Sequence, residues 1–221
     1  MHQKIVSELK RIEENNNVRI IYACESGSRA WRFPSKDSDY DVRFIYVRPV
    51  DWYLSIQEKR DVIEIPVNDL LDINGWDIRK SLKLLRKSNP PLLEWLESPT
   101  VYHERYTITQ KMRDLNSLTF SPLSCLYHYL SIAKGNFRKY LQGDNVRIKK
   151  YFYALRPILA CKWIEERNTM PPMEFQKLLG MLPPKSILVD EIHNLLERKK
   201  SGEELDYGLQ IKAINEFLEM P

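Results

Sequence analysis

The spacing of apolar residues changes period along the chain. Ile5, Val6, Leu9 and Ile12 recur at helical spacing and predict a helix over 3–14, ended by Asn15-Asn16-Asn17. Residues 18–24, VRIIYAC, form a short apolar run rich in β-branched residues, so a buried strand is expected there. Gly27 breaks the run and residues 33–38, FPSKDS, read as a loop. From Tyr40 to Val47 side chains alternate with a period of two, which predicts a second strand. Residues 61–67 and 69–73 read as two more short strands. Asn74-Gly75-Trp76-Asp77 has the form of a helix start, with Asn74 as N-cap and Asp77 at N3. That helix should run to about Ser88, where Asn89-Pro90-Pro91 stops it, and a short helix carrying Leu92, Leu93, Trp95 and Leu96 follows.

Beyond Thr107 no segment has the pattern of a strand. Ser121-Pro122 opens a long helix on Leu123, Leu126, Leu130, Ala133 and Phe137. Gly143-Asp144-Asn145 reads as a turn. A second long helix covers about 146–167, with Pro157 removing one backbone hydrogen bond inside it. Strands in the first half and helices in the second give an α+β fold. A domain over 1–117 precedes a helical domain over 118–221, with the boundary near 115–120.

Composition narrows the function. A net charge of +4 over 221 residues permits an anionic partner, but a chain that coats nucleic acid indiscriminately is usually far more basic. Cys24, Cys125 and Cys161 are odd in number and widely spaced in apolar surroundings, which argues against a disulfide framework and a zinc site. The first residues lack an apolar signal core, and no apolar run nears the ~20 residues that span a bilayer. The expectation is a cytoplasmic protein with no membrane partner.

The chemistry concentrates in Glu25-Ser26-Gly27-Ser28-Arg29-Ala30-Trp31 and Ser38-Asp39-Tyr40-Asp41-Val42. A strand period of two turns Asp39 and Asp41 to one face. Carboxylates that close repel unless a cation sits between them. Oxygen-only ligands suit Mg²⁺, which takes one or two carboxylates plus substrate phosphates. The Gly-Ser turn at the end of the preceding strand offers backbone N–H groups and a hydroxyl to those phosphates. A lone D-x-D is a weak signal; the turn upstream and the apolar strands on both sides strengthen it.

A third carboxylate is wanted, from Glu64, Asp69, Asp72 or Asp77. Helix capping accounts for Asp77 and nothing accounts for Asp72, which makes Asp72 the choice and Glu64 the third candidate. Arg29 follows the turn and could touch phosphate; Arg43, on the face of the aspartates, could do the same or pair with them. Lys149, Tyr153 and Arg156 share a helix face at i, i+4 and i+7, either as a grip on triphosphate and base or as a solvated stripe. Lys134, on the neighbouring long helix, is a further candidate. Arg79, Lys80, Lys83, Arg86 and Lys87 follow one another with no acid between them, most simply as a solvated helix face.

The blocks ESGSRAW…SDYDVRFIYV, GWDIRKSLKLLRKSNPPLLEWL and KKYFYALRPILACKWI resemble the RNA repair pathway DNA polymerase β family, predicted nucleotidyltransferases of the YcgL type, over roughly residues 18–180. The resemblance implies a polymerase β-like domain with a short mixed sheet, followed by a helical bundle. It also implies two-metal transfer of a nucleoside monophosphate from an NTP such as ATP. Gly27 and Ser28 match the family's turn, Asp39 and Asp41 its metal pair, and Lys149, Tyr153 and Arg156 its K-x-x-x-[YH]-x-x-R helix. With Asp72, the pair would hold two Mg²⁺ (or Mn²⁺), and the acceptor would be an RNA 3′ end such as that of tRNA, a protein side chain or a small molecule. Arg32 stands where the family usually has Gly, a departure that bears on nucleotide choice. The alternative reading is a non-catalytic nucleotidyltransferase-like module that binds RNA or neutralises a toxin.

Overall fold

A computed structural model describes residues 1–36, 38–68, 70–203 and 205–219. The chain forms two compact units, Met1–Ala30 with Asp39–Phe120, and Trp31–Ser38 with the residues from Ser121 onward. A single cut between 117 and 118 would leave Trp31–Ser38 in the first unit.

In the first unit, α1 (His2–Asn16) turns Ile5, Leu9 and Ile12 into the core, and Asn17 ends it in a left-handed conformation. β1 (Arg19–Ser26) is buried almost throughout, as its apolar run demands. After the short α2 (Gly27–Ala30) come β2 (Tyr40–Val47), α3 (Val50–Tyr53), β3 (Val62–Asn68) and β4 (Leu71–Asp77). Then follow α4 (Ile78–Arg86), α5 (Pro90–Leu96), β5 (Val101–Glu104) and α6 (Ile108–Thr119). The strands form one mixed sheet in the order β3-β4-β2-β1-β5, in which only β2 and β4 run parallel. Ile20, Ala23, Val42, Phe44, Ile63 and Ile73 join the α1 residues in a shared core. This is an α+β unit with a five-stranded mixed sheet.

The expected helix start at Asn74 is not what forms. Residues 74–77 continue β4, whose alternate residues are buried, and Asp77 becomes the N-cap of α4, accepting the Arg79 N–H at 2.8 Å. Parallel pairing with β2 along seven positions outweighs the local capping pattern. Gly75 is needed there, because a Cβ would meet the Phe44 ring at 2.2 Å. Asn89 caps α5 by accepting the Leu92 N–H, with Pro90 in the first turn.

The second unit holds α7 (Pro122–Tyr140), β6 (Asn145–Arg147), α8 (Lys150–Arg167), α9 (Phe175–Leu179), α10 (Ile187–Lys200), β7 (Tyr207–Leu209) and α11 (Lys212–Glu219). Ser121 caps α7 through the Ser124 N–H. The expectation of no strand beyond Thr107 fails at β6 and β7, which pair antiparallel across about sixty residues of chain. Three-residue strands carry no readable period, so their pairing is a tertiary effect. The second long helix accordingly starts at Lys150 instead of 146. Tyr151, Phe152, Leu155 and Leu159 of α8 pack against Phe33, Phe175, Leu178 and Ile192. All three cysteines are buried free thiols. Among the described residues, no helix is long and apolar enough to cross a membrane.

Candidate active site

The sheet brings Asp41 and Asp72 together. They are partners in the parallel β2–β4 register, so their side chains leave one face at neighbouring positions. Arg43, two residues on, lies between them: one guanidinium nitrogen donates to Asp41 Oδ1 at 3.0 Å and to Asp72 Oδ2 at 2.8 Å. The other donates to the carbonyls of Val42 and Asp72. Of the two roles open to Arg43 in the sequence, this structure has the ion pair. Asp39 lies just before β2, exposed, with its carbonyl accepting from Arg29 Nε at 3.1 Å. The Arg29 guanidinium stacks on Tyr40, 3.7 Å from the ring centre.

The Gly-Ser turn meets the same carboxylates. Gly27 has φ +59, a left-handed conformation, and a Cβ there would lie 1.9 Å from Asp41 Oδ2. Two separate demands therefore require glycine: the backbone conformation and the room taken by the Asp41 carboxylate. Ser28 is the next residue of the turn and is partly exposed.

Burial pushes the Asp41 carboxyl above its ordinary range. Arg43 pulls it down, and Asp72 and Asp39 push it up again. Asp41 and Asp72 thus share Arg43 as their cation, and the charge of the exposed Asp39 is felt at Asp41. Glu25, on β1, completes the surroundings. It is 2% exposed, its Oε1 accepts the Asp41 backbone N–H at 2.8 Å, and its Oε2 accepts the Tyr102 hydroxyl. Burial raises the Glu25 carboxyl, while those two hydrogen bonds lower it. Glu25 and Tyr102 received no role from the sequence. A carboxylate at the end of a buried apolar strand, just before the turn, was the available signal for Glu25.

The other acidic candidates are placed differently. Asp77 is fully buried and committed to the Arg79 N–H and the Tyr53 hydroxyl, at 2.8 Å each. Glu64 is exposed on β3 and pairs with Arg60. Asp69 lies outside the described residues, as does Asp37 of the expected loop.

The cationic candidates of the second unit lie on its helices or, for Lys149, at a helix start. Arg156, 2% exposed, sits over Trp31 with its guanidinium carbon 4.8 Å from the ring, and Tyr153 meets the same Trp31 edge-on at 5.8 Å. The 31–38 segment and α8 are thereby tied by an Arg–Trp–Tyr cluster. Lys149 immediately precedes α8. Lys199 of α10 is buried, and burial followed by the charge of Lys149 lowers its pKa; it too was not picked out from the sequence. Lys134 lines a small cleft on α7 with Phe137, Arg138 and Leu218. Arg32 has φ +68, a left-handed conformation that favours glycine.

Among the described residues, no three His, Cys, Asp or Glu side chains stand as a ready-made metal-ligating group. The chemistry of the donors nevertheless fits a hard divalent cation. Carboxylate oxygens on adjacent strands, partly buried and in excess of their counter-charge, are what Mg²⁺ takes from a protein.

A five-stranded mixed sheet with a Gly-Ser turn leading out of one strand, and carboxylates on the next two strands of the sheet, is a polymerase β-like nucleotidyltransferase arrangement. The chain belongs to the RlaP family, the RNA repair pathway DNA polymerase beta family, which it matches over residues 1–220. It is 56% identical to the uncharacterised protein YcgL of Bacillus subtilis (strain 168) over 219 residues, 99% of this chain and 84% of that one. It resembles only loosely the crystal structure of a nucleotidyltransferase-like protein from Exiguobacterium sibiricum 255-15, at 12% identity and a TM-score of 0.35, over 97% of this chain and 74% of the other.

Proposed function

We propose that the protein transfers a nucleoside monophosphate from an NTP to a hydroxyl acceptor, with release of pyrophosphate. The single observation that carries this reading is the convergence of Asp41, Asp72 and Gly27: two register-paired carboxylates and a turn with no room for a side chain. Asp39, Asp41 and Asp72 would hold Mg²⁺ or Mn²⁺. The bound metal supplies charge neutralisation at the phosphates and lowers the pKa of the acceptor hydroxyl. Gly27 and Ser28 present backbone N–H groups and a hydroxyl to the triphosphate. Arg29 and Arg43 add positive charge, and Arg43 exchanges its carboxylate partners for phosphate as the site loads. Glu25 holds the Asp41 backbone so that the carboxylate keeps its aim.

The acceptor hydroxyl attacks the α-phosphorus in line, its proton passing to Asp72 or to solvent, and pyrophosphate departs. The acceptor we favour is an RNA 3′ end such as that of tRNA, given the family to which the chain belongs. The protein works in the cytoplasm in this reading. The alternative, a non-catalytic module, gains nothing from a glycine held against a carboxylate by space alone.

The test is label transfer from α-labelled NTP to cellular RNA in the presence of Mg²⁺. Asp39→Asn with Asp41→Asn should cut transfer by about 10³-fold or more, the several kcal/mol that a metal at the phosphates contributes, while far-UV circular dichroism stays unchanged. A double variant with wild-type transfer would overturn the assignment.

A further inference from the structure

The run of bases from Arg79 to Lys83 has no part in the site described above. It lines a cleft of about 490 Å³ between the 52–61 stretch and the start of α4. Lys59, Arg60, Arg79, Lys80 and Lys83 are in the lining, together with Glu58, Asp61 and Asp77. Most of that acid is already taken. Asp77 holds the Tyr53 hydroxyl and the Arg79 N–H, and Asp61 pairs with Lys80 at 3.1 Å. Arg60 is in turn held by Glu64. Lys59, Arg79 and Lys83 are left with no carboxylate partner among the described residues, and of the lining acids Glu58 and the buried Asp77 have no cation among them. The cleft wall is aromatic: Trp52 has Lys59 Nζ 5.9 Å from its ring, and Tyr53 has the Arg79 guanidinium at 5.8 Å. Ile56 is fully exposed in the same lining, although it is apolar.

Three uncommitted cations beside aromatic and exposed apolar surface are complementary to a single nucleic-acid strand, which offers phosphates and the flat faces of bases. The cleft lies at the opposite end of β4 from Asp72. Asp72 and Asp77 are five residues apart along that strand, roughly 17 Å at the rise of an extended chain. That is about five nucleotides of stacked strand at 3.4 Å each.

We infer that the cleft between Trp52 and α4 is a second nucleic-acid site, which holds the phosphodiester backbone of a single-stranded RNA acceptor through Lys59, Arg79 and Lys83. It rests on the transferase reading for its purpose, but its binding chemistry stands apart from the carboxylates. The cleft grips the strand away from its reacting end and contributes affinity without reading sequence.

The test is fluorescence anisotropy of a labelled mixed-sequence 12-mer oligoribonucleotide, titrated with full-length protein at several salt concentrations. It is run in the Asp41→Asn background, so that turnover plays no part. Lys59→Ala, Arg79→Ala and Lys83→Ala together should weaken binding at least about tenfold and reduce the magnitude of the log K against log salt slope by about 2, the share of three phosphate contacts on a single strand. All three side chains are exposed, so the fold should persist, which circular dichroism checks. Lys4→Ala, Lys10→Ala and Lys111→Ala, exposed on the same unit, form a control of equal charge and should leave both quantities nearly unchanged. Equal weakening by the control, no change in the cleft variant, or no RNA binding by the parent protein would each overturn the inference. Loss of label transfer in Asp41→Asn with this binding intact would support the transferase reading, whereas intact transfer in Asp41→Asn, with RNA binding that the cleft variant still weakens, would contradict that reading alone.

Discussion

Strands β2 and β4 lie side by side and parallel, and an aspartate is buried or partly buried at each end of the pair. At one end Asp77 is sealed from solvent, accepts the Tyr53 hydroxyl and the Arg79 N–H, and starts a helix. At the other end Asp41 faces Asp72, shares Arg43 with it and lies against Gly27, with Asp39 close enough to raise its pKa. The first aspartate has its hydrogen bonds met by uncharged donors and holds the fold together. The second sits in a surplus of like charge and is held there by the packing of two strands, a turn and Glu25. A protein keeps such an unfavourable cluster where a cationic ligand relieves it. The same residue type, five positions apart along one sheet, serves structure in one place and, in the proposed function, chemistry in the other.

The comparison breaks most sharply at Gly27. Gly27→Ala puts a methyl group where Asp41 Oδ2 lies and asks an L-residue to adopt a left-handed φ. Displacing one carboxylate by about an ångström should cost roughly 10²-fold in label transfer, measured per folded molecule. Wild-type transfer in this variant would show that the carboxylate's position does not matter. At the structural end, Asp77→Ala removes an N-cap and takes the acceptor from the partly buried Tyr53 hydroxyl, which keeps only the Arg48 N–H that it accepts. It should lower unfolding stability by about 2–4 kcal/mol in urea titration. Transfer per folded molecule should hardly change, and a selective loss of activity there would erase the contrast. The smallest effect is expected beside the turn. Arg32→Gly relieves a left-handed non-glycine residue at some cost in chain entropy, for a net gain of about 0.5–1 kcal/mol in the same titration. A loss of stability would mean that the Arg32 side chain has contacts worth more than the strain.

Much of this was legible in residue order, and the failures have physical causes. β2 was readable because polar and apolar side chains alternate from Asp41 to Phe44 and an apolar run carries the strand on to Val47, and that period also placed Asp41 on a face with Arg43. The junction of β4 and α4 was misread because Asn74-Gly75-Trp76-Asp77 satisfies capping rules locally. Whether those residues form a strand depends on β2, a partner thirty residues away. β6 and β7 are too short to have a period of their own. Glu25 was in view as part of the turn motif, but its role depends on Asp41 and Tyr102, which only the folded sheet brings to it. The ion pair of Arg43 with Asp72 is likewise a product of parallel pairing, which no spacing in the sequence specifies.

The central claim is that the Asp41 cluster is a cation site held in readiness, and thermal unfolding of wild type and Asp41→Asn tests it directly. A carboxyl raised by burial and by its neighbours favours the protonated form in the fold, so it costs stability once pH rises through its folded pKa and costs none below the ordinary carboxylate range. Without metal, Asp41→Asn should therefore unfold at a higher temperature than wild type at pH 7, and the gap should close as pH falls through that range. Addition of Mg²⁺ with a non-hydrolysable NTP should raise the wild-type unfolding temperature and leave that of Asp41→Asn unmoved. A variant no more stable than wild type at neutral pH, together with an equal rise in both on adding metal and nucleotide, would contradict the account.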